Sequence, residues 1–294
     1  MSEPVMSVKG LGNRFGAQVV HENLDLDINK GEVLAIIGGS GAGKSVLMRS
    51  ILGLQPYQAG RIWWFGQEMA TLGDVERRAL ERRVGVMFQD GALFSSLTVL
   101  ENVMVPLKEH SGLDENFITQ LARLKIALVG LPPEAGDKFP ETLSGGMRKR
   151  AGLARALALD PEILFFDEPT SGLDPIGAAA FDELVATLHQ ALRLTVILIT
   201  HDLDSVYRIC DRVAVLADRH VVAVDTPEKI QFFEHPWIRD CFQGPRGRMA
   251  YTQAQSVKTE HPASVDSISS GASSALKQPV QALAVPNPTL KPVQ

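Results

Sequence analysis

GEVLAIIGGSGAGKS (residues 31–45) runs from a near-continuous apolar stretch straight into glycine, serine and lysine. An apolar run of this length ending in glycine suits a strand buried on both faces of a parallel sheet. Gly38-x-x-x-x-Gly43-Lys44-Ser45 then has the spacing of a phosphate-binding loop. The backbone N–H groups of Gly38, Gly39, Ser40, Gly41, Ala42 and Gly43 can converge on phosphate oxygens. The helix that Lys44, Ser45 and Val46 open adds its dipole. Lys44 supplies positive charge toward β- and γ-phosphates, and the Ser45 hydroxyl can ligate Mg²⁺. A strand before and a helix after separate this loop from an ordinary glycine-rich turn.

Two further apolar runs, EILFFDE (162–168) and LTVILITHD (194–202), end in polar residues. Each of the three runs is followed by a plausible helix, in residues 44–54, 176–192 and 203–211. Alternating strands and helices predict an α/β core whose ligands gather at the carboxyl ends of the strands. Asp167 at such an end suits Mg²⁺, directly or through water. Glu168 would point to the γ-phosphate side and polarise an attacking water. His201 falls at the same sheet edge, and a γ-phosphate contact is expected of it. Gln89, in VGVMFQD, ends another apolar run and could hold the Mg²⁺ shell or a water. Phe15, in NRFG, could stack on adenine or pack as a core aromatic.

The 294 residues are 45% hydrophobic and 21% charged, as expected of a folded core. A net charge of -5 argues against a nucleic-acid partner, which usually meets a basic surplus. Cys210 and Cys241 are too few for a disulfide framework and fit a reducing compartment. The first residues lack the apolar segment of a signal peptide, and no run approaches the about 18 apolar residues of a membrane span. Any membrane role is therefore expected to come through a partner.

Between about 93 and 160 the pattern becomes helical. DENFITQLARLKIALVGL (114–131) places Phe117, Leu121, Leu124 and Leu128 at helical spacing, with Asp114 as N-cap and Pro132-Pro133 as terminator. Residues 251–294, rich in Ser, Ala, Pro and Gln, are expected to be a disordered tail. The expected organisation is thus one domain over 1–250, with a core at about 1–92 and 161–250 and a helical insert at about 93–160. Inside the insert, TLSGGMRKR (142–150) holds a second glycine-rich helix start, at Ser144, Gly145 and Gly146. A chain with a complete phosphate cradle at 38–45 has no obvious use for another. A second copy related by two-fold symmetry would supply one, closing each phosphate site from its other side.

Together these residues resemble the ATP-binding cassette of ABC transporters, over about residues 5–235. The Walker A motif (38–45), Q-loop Gln89, signature (143–147), Walker B with its glutamate (163–168), D-loop (171–174) and switch His201 all match. The resemblance implies a P-loop NTPase core of RecA-like type, an antiparallel β region and an inserted α-helical subdomain. It also implies ATP and Mg²⁺ as cofactors, ATP hydrolysis, a homodimer and a membrane-embedded permease. The signature here ends in Met147 where the family usually has Gln, which puts any ribose contact from that position in doubt. LSGGM with the basic run Arg148-Lys149-Arg150, and FQDGALFSSLTVLENVMVPLKEH (88–110), are similar to the ATPases of MCE-type lipid transporters, the Mla system. That narrower resemblance implies phospholipid cargo between inner and outer membranes, MCE-domain and STAS-domain partners, and a peripheral position on the cytoplasmic side of the bacterial inner membrane. An importer for a small solute such as an amino acid would share every ATP-site residue. A soluble non-transport ABC ATPase fits less well, because the single P-loop and the stretch from Ser45 to Leu143 leave no room for a second cassette or a long coiled-coil arm.

Overall fold

The computed structural model describes residues 4–89 and 91–260. Its centre is a six-stranded sheet in the order β10-β9-β3-β8-β7-β6. The strands are β3 (Val33–Gly38), β6 (Val84–Met87), β7 (Ile163–Asp167), β8 (Thr195–Ile199), β9 (Arg212–Ala217) and β10 (His220–Asp225). All neighbours run parallel except β10, which turns back antiparallel on β9. Every residue of β3, β7 and β8 is buried, as the apolar runs predict. Alternate side chains enter different cores. Leu164 and Phe166 join one cluster, while Ile163 and Phe165 join another on the opposite face.

The second cluster is closed by a four-stranded antiparallel sheet, β2-β1-β4-β5, made of β1 (Pro4–Phe15), β2 (Gln18–Asn29), β4 (Ala59–Trp64) and β5 (Gln67–Glu68). Helices α1 (Lys44–Ile51) and α2 (Asp74–Glu81) belong to this side. The first cluster is closed by α3 (Val99–His110), α4 (Glu115–Leu128), α5 (Gly145–Ala156) and α6 (Pro175–Leu192). A third cluster packs α7 (Leu203–Ile209), α8 (Pro227–Ile230), α9 (Pro236–Phe242) and α10 (Pro245–Glu260) around Ala35, Ile37, Val213 and Val215. No helix of the described residues is long and apolar enough to cross a membrane.

Two expectations are corrected. Asp114 does cap α4, accepting from the N–H groups of Asn116 and Phe117, but the helix buries a different face. Ile118, Ala122, Lys125 and Ile126 point inward, whereas Phe117, Leu124 and Leu128 are exposed and Leu121 is only partly buried. The helix carries two apolar stripes, and the inner one is hidden in sequence by Lys125. That lysine lies against the core along its stem and pairs its ammonium with Asp160. The second correction concerns the tail expected from 251. Helix α10 continues to Glu260, because Ala250, Tyr251 and Ala254 pack on the third cluster and the Tyr251 ring meets Tyr207 edge-on at 5.7 Å. By its contacts the chain divides after Ala254, and the C-terminal unit is described only for its helical start, residues 255–260. The rest of the expected tail lies outside the described residues.

Asp182 on α6 is almost fully buried, where it accepts a 2.8 Å hydrogen bond from Ser205 and faces Arg208 at 3.8 Å. Burial, offset in part by the Ser205 bond, pushes its carboxyl up to about 6. The native state therefore holds that proton more tightly than the unfolded chain, and the stability it confers is lost as pH rises from 3.8 through about 6. Asp182→Asn, which keeps an acceptor for Ser205, should be more stable than the wild type at pH 8, by up to about 3 kcal/mol. The gain should vanish near pH 4. Denaturant unfolding at both pH values checks this, and equal destabilisation at both would refute it.

Candidate functional site

The loop after β3 is held from behind by the long hairpin. Gly43, the N-cap of α1, has φ 97°, and a Cβ there would sit 2.5 Å from His21 Nε2 and 2.6 Å from Val20 Cγ1. Only glycine fits this position. His21 is buried, bonded through Nδ1 to Asn13 Oδ1 at 2.8 Å, and its Nε2 finds no hydrogen-bond partner. Burial, partly countered by the nearby Gly43 backbone, pushes its imidazole down to about 4, so it is neutral at pH 7. In front, the Lys44 ammonium donates to the Gly38 and Gly39 carbonyls at 2.8 and 3.2 Å. Burial lowers the Lys44 pKa, against the pull of Glu168 and Asp167.

Those two carboxylates end β7. Asp167 is buried, and Ser45 Oγ lies 3.4 Å from its Oδ1. Burial raises its pKa, opposed by Ser45 and reinforced by Glu168. Glu168 leaves the strand at φ 50°, a rare conformation for a residue with a side chain. Its N–H stays tied to Ile199 O at 2.8 Å while its carboxylate turns out to His201, whose Nδ1 is 2.9 Å from Oε1 and 2.8 Å from Oε2. A carboxylate only accepts, so that imidazole nitrogen carries the proton. Gln89 is exposed just past β6, and Lys149 of α5 donates both to its carbonyl and, at 3.4 Å, to the carbonyl of Glu168. One ammonium thus makes neighbours of the two backbones.

Gly38, Gly39 and Ser40 face a cleft of about 950 Å³, together with Glu168 and His201. Trp237 and Met249 also line it. This donor set fits a nucleoside triphosphate with Mg²⁺. The loop turns its backbone around a lysine with no carboxylate bonded to it, and Ser45 and Asp167 present hard oxygens beside it. Ser45 and Asp167 would hold the metal with Gln89 nearby, and the bound ion would supply charge neutralisation on the phosphates. Phe15 is 43% exposed at the hairpin end, beyond Val20 and His21, and is not a core residue. Ser144 caps α5, accepting from Met147 N–H at 3.3 Å, and Gly145 lies beside Leu173. None of Ser144, Gly145 and Gly146 is among the described residues that line the cleft.

Sequence reasoning passed over His21 and Trp237. The indole Nε1 would be 3.2 Å from a Cβ at Gly39, so α9 packs against the loop at Gly39 as β2 does at Gly43. Neither residue carries a local signal, because each acts through a fold contact with a distant glycine.

The family model described as ABC transporter matches residues 21–171. MlaF of Haemophilus influenzae, an intermembrane phospholipid transport system ATP-binding protein, is 40% identical over 230 residues, covering 78% of this chain and 87% of that protein. The methionine import ATP-binding protein MetN of Caulobacter vibrioides is 44% identical over 221 residues, covering 75% of this chain and 65% of its own. Among solved structures, the dimeric ATP-binding cassette MJ0796 in a post-hydrolysis state with ADP and Pi superposes with a TM-score of 0.69 at 28% identity. It covers 75% of this chain and 98% of that one.

Glu168→Gln should retain ATP binding and lose about 10²–10⁴-fold in turnover, the usual cost of removing a positioned base. Gly43→Ala should instead weaken nucleotide binding, since the new methyl meets His21 and the backbone is strained there. Nucleotide titration alongside phosphate release separates the two, and a Glu168→Gln protein turning over at the wild-type rate would refute the first role.

Proposed function

We propose that this chain, which belongs to the ABC transporter family as its ATP-hydrolysing subunit, powers phospholipid movement between two membranes. The observation that carries the cargo is the likeness to MlaF, which extends over nearly all of that protein's length. The likeness to MetN leaves about a third of MetN uncovered. In this reading Gly38 to Val46 bind ATP, and Ser45, Asp167 and Gln89 hold Mg²⁺. Glu168, held by His201, orients the attacking water. Two copies pair so that Ser144, Gly145 and Gly146 of each meet the phosphates bound by the other. Phe15 offers a face to adenine. The dimer sits on the cytoplasmic side of the inner membrane beneath a permease, with MCE-domain and STAS-domain proteins in the same complex.

A groove on the described surface supports this reading as a place for the permease to dock. A groove of about 320 Å³ lies between α2, β6, α3 and α5, lined by Arg78, Val86, Phe94, Val105, Pro106 and Arg155. Phe94 is half-exposed at its edge, whereas Leu93 packs inward on the helical core and Leu97 is partly buried. An apolar groove rimmed by charge suits an amphipathic helix. A solute importer is the second reading, favoured by the identity to MetN.

Affinity purification of the full chain from membranes tests the cargo. Co-purification of a permease, an MCE-domain protein and phospholipid is expected. Recovery of a solute permease with a periplasmic binding protein, and no phospholipid, would overturn it in favour of the importer. Phe94→Asp should leave nucleotide hydrolysis by the isolated chain within about 2-fold, as surface changes usually do, and should lose the permease from the purified complex.

A further inference from the structure

Lys149 stands one turn into the helix that Ser144 opens, yet it is 6% exposed. Bringing an ammonium inside a protein is costly unless its protons are taken up by acceptors. Here it donates to the carbonyls of Gln89 and Glu168, from two different strand ends. It is also the first of three α5 residues, spaced i, i+3 and i+6, that grip the chain just after β6. Gly152 approaches so closely that a Cβ would lie 2.9 Å from Gly91 Cα. Arg155 then donates to Ala92 O at 2.6 Å and Gly91 O at 3.1 Å. Spacing of three residues keeps all three on one helical face. The chain just after β6, at Gln89, Gly91 and Ala92, is therefore fixed to the signature helix.

Lys149 alone of the three reaches across to β7. The Glu168 peptide is fixed at its nitrogen by Ile199 O (2.8 Å), and at its carbonyl by Ser171 N–H (3.2 Å) and Lys149 Nζ (3.4 Å). Those contacts set the direction of the Cα–Cβ bond and so the aim of a carboxylate on a residue at φ 50°. We propose that Lys149 is a positioning residue for ATP hydrolysis, tying Gln89 and Glu168 to the signature helix so that the glutamate is aimed only when α5 and the Q-loop are seated together. The proposal concerns hydrolysis and is independent of the cargo. It makes the helical subdomain's position readable at Glu168 through that residue's backbone carbonyl.

The test is steady-state ATP hydrolysis by the full chain, with KM and kcat resolved. Lys149→Met fills similar space without donors and should lower kcat about 10- to 100-fold, the scale of a misplaced reacting group, with KM within about 2-fold. Lys149→Gln keeps an N–H for the carbonyls and should recover kcat to within about 3-fold of the wild type. In a Glu168→Gln background, Lys149→Met should have no further effect, because two groups acting through one function are not additive. An unchanged kcat in Lys149→Met overturns the proposal. So does a parallel fall in kcat and rise in KM for both Lys149 variants, which is what a merely structural lysine gives. If Lys149→Met yields no folded protein, Lys149→Gln decides alone: kcat within about 3-fold at unchanged KM supports the proposal, and a loss of about 10-fold overturns it.

Discussion

Ile36, Ile199 and Asp167 lie on one line across three adjacent parallel strands, because β3 pairs with β8 and β8 with β7 in that register. Everything chemical in the molecule hangs on this line. Two residues past Ile36 the chain reaches Gly38 and the phosphate loop. Two past Ile199 it reaches His201, and one past Asp167 it reaches Glu168. A slip of one residue between β8 and β7 would turn Asp167 to the wrong face and separate Glu168 from His201, and a slip between β3 and β8 would shift the phosphate loop relative to both. The register is protected by burial on both faces. Alternate side chains go to different cores, those of β7 and β8 to the first and second clusters and those of β3 mainly to the second and third, so a slipped strand would misfill them.

Around that line the charges are arranged so that the protein alone does not satisfy them. Burial lowers the pKa of Lys44 and raises that of Asp167. Lys44 rests on the loop's own carbonyls, and Ser45 reaches Asp167 only weakly. Lys44 and Asp167 feel each other's charge, yet among the described contacts the one is hydrogen-bonded to carbonyls and the other to a hydroxyl, an arrangement that a phosphate with a divalent ion would complete. Glu168 differs. Its carboxylate already has a partner in His201, and its backbone is over-determined by contacts at both ends. The site thus divides into groups that wait for the nucleotide and a group that is preorganised without it.

How much of this the sequence disclosed depends on how local each signal was. The three apolar strands, the loop at 38–45 and the polar residues at the strand ends were legible, because sheet burial and loop geometry are written in consecutive residues. The buried face of α4 was not. Phe117, Leu124 and Leu128 have the right spacing but face outward, and the true inner stripe contains Lys125, which any hydrophobic pattern rejects. His21 and Trp237 escaped for another reason. Their roles exist only where β2 and α9 meet Gly43 and Gly39, and nothing in their own neighbourhoods marks those meetings. The helical run of 251–260 escaped because Tyr251 and Ala254 find a core made by other segments.

The basic run at 148–150 shows the same limit from the opposite direction. Read alone it is a patch of positive charge after a glycine-rich helix start, ready for an anion or for solvent. In the fold each cation is turned inward onto backbone carbonyls. Arg148 reaches Pro140 and Leu143, Lys149 reaches Gln89 and Glu168, and Arg150 reaches Val129 at 2.8 Å. Met147 packs against the helical core beside them. Residues that follow the glycines therefore spend their charge on fixing α5, not on binding. What remains at the front of the helix is a bare N-terminus, Ser144 to Gly146, with exposed or half-exposed backbone and a rigid support behind it. A helix start held this firmly would need little reorganisation to meet an anion, since its N–H groups are already aimed. The second glycine-rich stretch is thus the counterpart of the first. One helix start is shaped by a strand and a half-buried lysine beside its own loop, and the other by three cations that hold α5 on neighbouring backbone carbonyls.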